Sequence, residues 1–297
     1  SLDLVTGDPR SRRPVETQLL HFNGQSWQAY NYIWNSDATD AVLAEDVASD
    51  SLFTVTDASA PGGKRVQSWH HASRTECILC HTTRGGSLYG FTPAQLNRDH
   101  DYGKVTDNQF RTLAHIGILA AAPKALPTPM PDPADTTLPL EKRARAYLHV
   151  NCGTCHRRGG GGTAAMDIRY EFSLKQSNLL GARPTQGTFG MLAARVMAPA
   201  APYRSVLLYR MAKLGRGRMP HFGSQVVDRA GLQLVHDWID SLDPSLAPAG
   251  TGDAAALELR KRHDSLLESL KTPDLTSAKQ QDAIDSLLSS ASGALQL

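Results

Sequence analysis

The pattern of apolar and polar residues divides the chain into a β-rich beginning and a longer helical remainder. Four stretches near the start alternate apolar and polar positions, are rich in aromatic and β-branched residues, and are separated by turn residues; they are residues 15–22, 26–34, 51–57 and 65–69. They predict one small antiparallel sheet within a β-rich segment at residues 1–72, with Trp27 and Trp34 in its core.

Helical periodicity follows and predicts two units, each containing a cysteine pair. The first unit covers residues 73–122 and ends in a helix that Thr106 or Asp107 can cap. The second unit covers residues 141–245. Residues 123–140 between them are rich in proline, which favours an extended, semi-rigid linker.

The last segment, residues 246–297, predicts a helical tail. Two amphipathic stretches, residues 254–271 and 276–290, form its helices. Their packing stripe consists of leucines and one isoleucine, namely Leu257, Leu266, Leu267, Leu270, Ile284, Leu287 and Leu288. The predicted fold class is therefore α+β: a small antiparallel β segment, two mainly α units and a C-terminal helical tail.

Composition narrows the function classes. The chain has 297 residues, of which 41% are hydrophobic and 20% are charged, as is usual for a globular protein. A net charge of +2 with scattered basic residues does not favour nucleic-acid binding. The apolar runs are too short for a transmembrane segment. The chain begins without Met or an apolar leader, so we expect a processed form or part of a longer product.

All four cysteines fall in two CxxCH motifs, which are Cys77, Cys80 and His81 in the first unit and Cys152, Cys155 and His156 in the second. Three chemistries use such pairs: a tetrahedral zinc site, a redox dithiol, and covalent attachment of c-type haem. A redox dithiol needs a βαβ context that this sequence lacks, and zinc gives no reason for either histidine. The motifs favour two covalently bound haem c groups, with His81 and His156 as axial iron ligands.

Around these motifs the sequence resembles a family of secreted bacterial dihaem c-type cytochromes, often found as the C-terminal part of longer proteins. The similar stretches span most of the chain and include "GDPRSRRPVETQLL", "SRTECILCH", "QLNRDHDYGKVTDNQFRTLAHIG", "RARAYLHVNCGTCH", "RSVLLYR" and "MPHFG". The resemblance implies two class I-like cytochrome c units, export to the periplasm or medium, and electron transfer. It also implies further β structure upstream of Ser1. Where many relatives read Pro-Gly-x-Pro, this chain reads "PAAP" at residues 199–202.

The second axial ligands are predicted from loops and from the likeness of the two units. Met219 lies in a Met-Pro step before the last helix of the second unit, which resembles the ligand position of class I cytochromes; the alternative is a core methionine. Aligning the sequence stretches that lead into the closing helices of the two units places His221 over His100. His100 is therefore the leading ligand of the first haem. His115 is the runner-up, and His70, His71 or an open site are further alternatives.

The glycine run at residues 157–162, "RRGGGG", is not a phosphate loop, because no strand or GK[ST] accompanies it. It is either a loop at the edge of a haem or a flexible spacer. Four arginines, two after the second motif and two before Met219, are candidate partners of haem propionates or solvated side chains; they are Arg157, Arg158, Arg216 and Arg218.

Together these features predict an extracytoplasmic dihaem electron carrier between a dehydrogenase-type donor and a downstream acceptor. A dihaem peroxidase acting at the first haem and a haem-bearing binding module of a larger redox protein are the alternatives.

Overall fold

The computed structural model describes residues 1–84, 86–247, 250, 252–272 and 276–297, and it is a mixed α+β structure. Its strands are β1 Leu2–Asp3, β2 Arg12–Arg13, β3 Glu16–Phe22, β4 Trp27–Trp34, β5 Ala41–Leu43, β6 Ser49–Thr56, β7 Lys64–His71, β8 Asp99–Asp101 and β9 Thr106–Asn108. Its helices are α1 Arg74–Cys80, α2 Pro93–Leu96, α3 Gln109–His115, α4 Leu140–Cys152, α5 Val206–Ala212, α6 Arg229–Ser241, α7 Asp253–Leu270, α8 Ser277–Leu288 and α9 Ala291–Ala294.

The β segment contains the four predicted strands, but they belong to separate small sheets rather than to one. Strands β3, β4 and β5 form an antiparallel meander, β6 and β7 form a hairpin, and β1 pairs with β2. Residues of the meander and of β6 line an open cavity of about 510 Å³, whose lining includes Val15, Ile33 and Phe53.

The prediction for the two tryptophans is wrong for Trp27. This residue starts β4 directly after the turn, opposite Phe22 of β3, and its ring is exposed beside Phe22, with 5.4 Å between ring centroids. Trp34 is half-buried, lines the cavity and donates a hydrogen bond from Nε1 to Thr17 Oγ1 at 2.9 Å.

The second unit contains a hydrophobic core between α4 and α6. Apolar residues recur at helical spacing on both helices and meet in a single cluster, which includes Ala144, Leu148, Leu234, Val235, Trp238 and Ile239. Loop residues such as Met197 complete it. The nearby "PAAP" sequence still forms a turn, in which Ala200 takes the left-handed conformation, with φ of 54°, that favours glycine.

A glycine allows α4 and α6 to cross closely. The Tyr147 ring of α4 lies against Gly231, so a Cβ atom at residue 231 would overlap the ring. The Tyr147 hydroxyl donates to Asp228 Oδ2 at 3.0 Å. Asp228 in turn caps α6 by accepting from the Gly231 backbone N–H at 2.9 Å. The pair of Tyr147 and Asp228 therefore stabilises both the crossing of α4 and α6 and the start of α6.

The first unit has much less buried apolar surface. Among the described residues between 73 and 122, Phe110 is the one apolar side chain that is fully buried. The predicted caps of its last helix are wrong: Asn108 is the N-cap, and its Oδ1 accepts from the Phe110 N–H at 3.0 Å. Thr106 and Asp107 instead pair with β8 in a short antiparallel hairpin, which postpones the start of α3.

The proline-rich linker lacks regular secondary structure before α4 and is bound to the first unit. Asn108 donates to Asn97, and Asn97 Nδ2 donates to the Pro127 carbonyl at 2.7 Å. The Met130 N–H donates to the Ala94 carbonyl at 2.9 Å. These bonds hold the linker along the unit that precedes it.

The tail contains the two predicted helices and the short α9. Leu287 is fully buried as predicted, whereas Leu257 and Leu288 are exposed. His263 occupies the core position between the helices and is hydrogen-bonded to Gln296 at 3.0 Å. Among the helices of the described residues, none combines the length and apolar character needed to cross a membrane.

We expect Gly231→Ala to destabilise the protein despite the better helix propensity of alanine. The overlap with the Tyr147 ring should cost about 1–3 kcal/mol, which exceeds the gain of about 1 kcal/mol from replacing a helical glycine. Denaturant unfolding measures the difference. Gln233→Ala, on the exposed side of the same helix, is the control and should change stability little. An unchanged midpoint for Gly231→Ala would show that the ring is not held at this crossing.

Candidate cofactor attachment site

The two CxxCH motifs share one local geometry. Each begins in a helix and continues through one more turn, in which the histidine N–H donates to the carbonyl of the first cysteine. This bond is 3.0 Å from His81 to Cys77 and 2.9 Å from His156 to Cys152. Residues at i, i+3 and i+4 share one side of a helical turn. Each motif therefore presents two sulfurs and one imidazole on the same side.

Capping fixes the start of the first of these helices. The Ser73 hydroxyl accepts from the Glu76 N–H at 3.2 Å, and the Glu76 carboxylate accepts from the Ser73 N–H at 2.8 Å, which is a capping box. The second motif follows α4, which the core of its unit holds in place.

The structure brings the two motifs into direct contact. Cys80 Sγ and Cys155 Sγ are 2.9 Å apart. Thr82 Oγ1 donates to the Gly159 carbonyl at 2.9 Å. The Arg157 guanidinium lies over the ring of Tyr89, 5.5 Å from its centroid. The residues that follow one motif therefore contact the residues that follow the other.

The glycine run allows this contact. A Cβ atom at Gly159 would lie 2.8 Å from the Arg84 carbonyl oxygen, and φ there is +82°. A Cβ atom at Gly161 would overlap the Leu79 carbonyl. Backbone thus packs directly on backbone between the two units, which neither of the sequence interpretations of this run anticipated.

The four thiols differ in acidity because their surroundings differ. Burial raises the pKa of Cys152 to about 12. The hydrogen bond between Cys80 and Cys155 raises the pKa of Cys80 and lowers the pKa of Cys155. Burial adds to the rise at Cys80. The pair therefore holds one proton more firmly and releases the other more readily than two separate thiols would.

His81 is oriented as a metal-binding histidine should be. Its Nδ1 lies 2.5 Å from the Ser87 carbonyl oxygen, so Nδ1 carries the proton and donates it. This leaves the lone pair of Nε2 available as a ligand. The ring of Tyr89 stacks on the imidazole at 5.0 Å between centroids.

His156 is held in a more enclosed place. Its Nδ1 is buried and lacks a hydrogen-bond partner within the described residues. A Cβ atom at Gly162 would lie 2.6 Å from that nitrogen. Burial lowers the pKa of His156, and the charge of His221 lowers the pKa further. The neutral, ligating form of the imidazole is therefore favoured.

His221, whose charge lowers the pKa of His156, follows Met219 by two residues in the same loop. Arg218 organises this loop. Its buried guanidinium donates to the carbonyls of Met211, Lys213 and Val226, at 2.7 Å each, and to the Ser224 backbone and side chain. The Met219 N–H donates to the Arg210 carbonyl at 3.0 Å. Arg218 is thus used within the loop and is not available to a propionate.

The candidate distal histidines of the first unit are exposed. His100 lies in β8, and its ring contacts Tyr102 at 4.7 Å between centroids. His115 is the last residue of α3 and is also exposed. The structure gives neither residue a contact that would favour it as an iron ligand, and the assignment of His100 stays a prediction.

The two upstream histidines are engaged elsewhere. His71 is 2% exposed; its Nε2 lies 2.9 Å from Ser51 Oγ and its Nδ1 lies 3.1 Å from Glu16 Oε2. His70 lies between the carboxylates of Asp50 and Glu76, at 2.9 and 3.2 Å. Both ring nitrogens of each histidine are hydrogen-bonded; His71 links strands within the β segment, and His70 links the β segment to α1 through Glu76.

The first unit also leaves many apolar side chains exposed. Several of its apolar side chains are exposed, with Phe91 reaching 84%, and the others include Ile78, Leu79, Leu88, Ile116 and Ile118. Leaving such surface in water is unfavourable. Together with the lone pair of His81, this surface fits covalent haem. Within the described part of the chain, no three His, Cys, Asp or Glu side chains are grouped around a single metal position.

Sequence reasoning did not anticipate the roles of Tyr89 and Arg218. A tyrosine nine residues after a cysteine carries no recognised signal. The clustering of Arg216 and Arg218 beside Met219 marked the loop as important but suggested a propionate partner. Only the folded loop shows that Arg218 binds carbonyls.

We expect Arg218→Met to loosen the loop that carries Met219. Several buried carbonyls would lose their donor, and the free energy of unfolding should fall by about 3 kcal/mol or more. Thermal unfolding and amide hydrogen exchange over residues 213–226 measure the effect. Arg216→Met, at an exposed position two residues earlier, should leave both unchanged. Equal protection of the loop in both variants would contradict the role of Arg218.

Comparisons of the chain with known protein families, with curated proteins and with solved structures find no match.

Proposed function

We propose that the chain is an extracytoplasmic dihaem c-type cytochrome that passes electrons between a redox protein donor and a redox protein acceptor. The observation that carries the proposal is the pair of CxxCH turns of equal geometry in direct contact, with Cys80 Sγ and Cys155 Sγ 2.9 Å apart. One such turn suits attachment of one haem, and two in contact suit exchange of electrons within one chain.

The cysteines of each motif would form the thioethers, while His81 and His156 would ligate iron. When bound, the two haems supply reversible one-electron chemistry, and a His/Met iron has a higher potential than a His/His iron. The Ser87 carbonyl holds His81 in the ligating tautomer. Arg218 holds the loop of Met219, the proposed second ligand of the iron at His156. His100 is the proposed second ligand at His81, with His115 as the alternative.

The surroundings of the motifs support a carrier. The α4–α6 core keeps the second motif rigid, which limits reorganisation around it. Gln67 of the β segment donates to Gln225, near Met219, at 3.3 Å. The β segment therefore lies beside the second unit and is suited to position a partner or an upstream domain. Attachment of c-type haem takes place after export, which is why we propose a periplasmic or secreted location.

The test is a potentiometric titration of the mature protein combined with denaturation in acidified acetone. The colour should remain with the polypeptide, its mass should include two haems, and the reduced-minus-oxidised spectrum should titrate in two one-electron steps. Release of the colour, or a mass equal to that of the bare chain, would contradict the proposal. Rapid turnover of peroxide by the reduced protein would instead support the peroxidase alternative.

We expect Met219→His to lower the potential of one haem and leave the other unchanged, because imidazole favours the oxidised iron more than a thioether does. The methionine-to-iron charge-transfer band should disappear at the same time. Met130→His, the same substitution in the linker, is the control and should preserve the band and both potentials. A titration of Met219→His that matches the unaltered protein would exclude Met219 as a ligand.

A further inference from the structure

The contact between Cys80 and Cys155 has a chemical consequence of its own. The two sulfurs, one from each motif, are 2.9 Å apart, less than 1 Å longer than a disulfide bond of about 2.05 Å. Both residues are half-buried and unbonded, so small reagents can reach them.

The surrounding contacts hold the two sulfurs in place. Thr82 donates to the Gly159 carbonyl, and Gly161 packs on the Leu79 carbonyl, one residue before Cys80. Closing a bond between Cys80 and Cys155 therefore needs a small shift of side chains rather than a rearrangement of the two units. Fixing two groups close together raises their effective concentration and speeds their reaction.

We propose that, in the chain without attached haem, Cys80 and Cys155 form a disulfide that joins the two motifs. A small disulfide oxidant, such as oxidised glutathione, accepts two electrons. One protein thiolate attacks it and releases one glutathione thiol; the second protein thiolate then displaces the other, and the Sγ–Sγ bond forms. Two protein thiols lose their protons and become one disulfide, while one glutathione disulfide becomes two thiols.

Formation of the disulfide does not depend on the proposed function, whereas its effect on haem attachment does. The bond would withhold one attachment sulfur from each motif while Cys77 and Cys152 stay reduced. If the motifs bind haem as proposed, attachment to both motifs would then require prior reduction of this single bond.

The experiment uses the full chain produced in the cytoplasm without an export signal, so that haem is not attached. The reduced protein is treated with oxidised glutathione, its remaining thiols are alkylated, and its peptides are mapped by mass spectrometry without reduction. We expect a link between the peptides of residues 75–84 and 146–157, with Cys77 and Cys152 alkylated. Links within each motif, or a mixture of all pairings, would overturn the inference.

Variants that keep two of the four cysteines allow the rate of disulfide formation to be measured. Cys77→Ser with Cys152→Ser keeps the proposed pair, whereas Cys80→Ser with Cys152→Ser keeps Cys77 and Cys155. The first variant should form its disulfide about ten-fold faster than the second, or more. Gly161→Val should slow it by separating the motifs, and Gly90→Val, which meets open space, should not. Equal rates in the two cysteine variants would contradict the inference, whether or not the mature protein binds haem.

Discussion

The packing of one CxxCH turn directly on the other is the constraint on which the arrangement of the remaining structure depends. It requires residues without side chains at Gly159 and Gly161, since a Cβ atom there would meet the backbone carbonyl of Arg84 or of Leu79. It also requires both turns to be held from behind. The α4–α6 core holds the second turn, and the β segment, through His70 and Glu76, holds the first.

The two units that meet at this contact differ in how much apolar surface they bury. The second has a closed core that includes Trp238 and Leu148, and its folding can be explained by protein packing alone. The first buries little apolar surface, and residues such as Phe91 remain in water. Under the proposed function this difference has a simple reason: a covalently attached porphyrin would contribute much of the apolar core of the first unit. The first unit then depends more on its cofactor than the second.

Much of the local structure could be predicted from the sequence because strong periodic signals are local. The strands β3 and β4 and the helices α7 and α8 begin and end within one or two residues of their predicted positions. The division into several sheets could not be predicted, since alternation shows which residues face a core but not which strands pair. The cap of α3 was displaced to Asn108 because a tertiary feature, the pairing of β8 with β9, used the preceding residues.

In the candidate site, too, local features could be predicted from the sequence and long-range contacts could not. Both motifs and the loop of Met219 were predicted from a few consecutive residues each, and the role of Met219 stays a prediction. The contact of Cys80 with Cys155, 75 positions apart in the chain, depends on how the units dock and has no local signal. The role of Arg218 was hidden for a related reason, since its partners are backbone carbonyls, which every sequence contains.

The buried hydrogen bonds of His71 limit how far this chain can be dissected into independent parts. Its imidazole lies two residues before the cap of α1, yet its partners, Glu16 and Ser51, belong to strands much earlier in the sequence. Cutting the chain between β6 and β7 would leave the Glu16 carboxylate on one fragment and the His71 imidazole on the other, each without its hydrogen-bond partner. The strands from β3 to β7 therefore form one unit that cannot be divided, and moving it into another protein would require Glu16, Ser51 and His71 to be kept together.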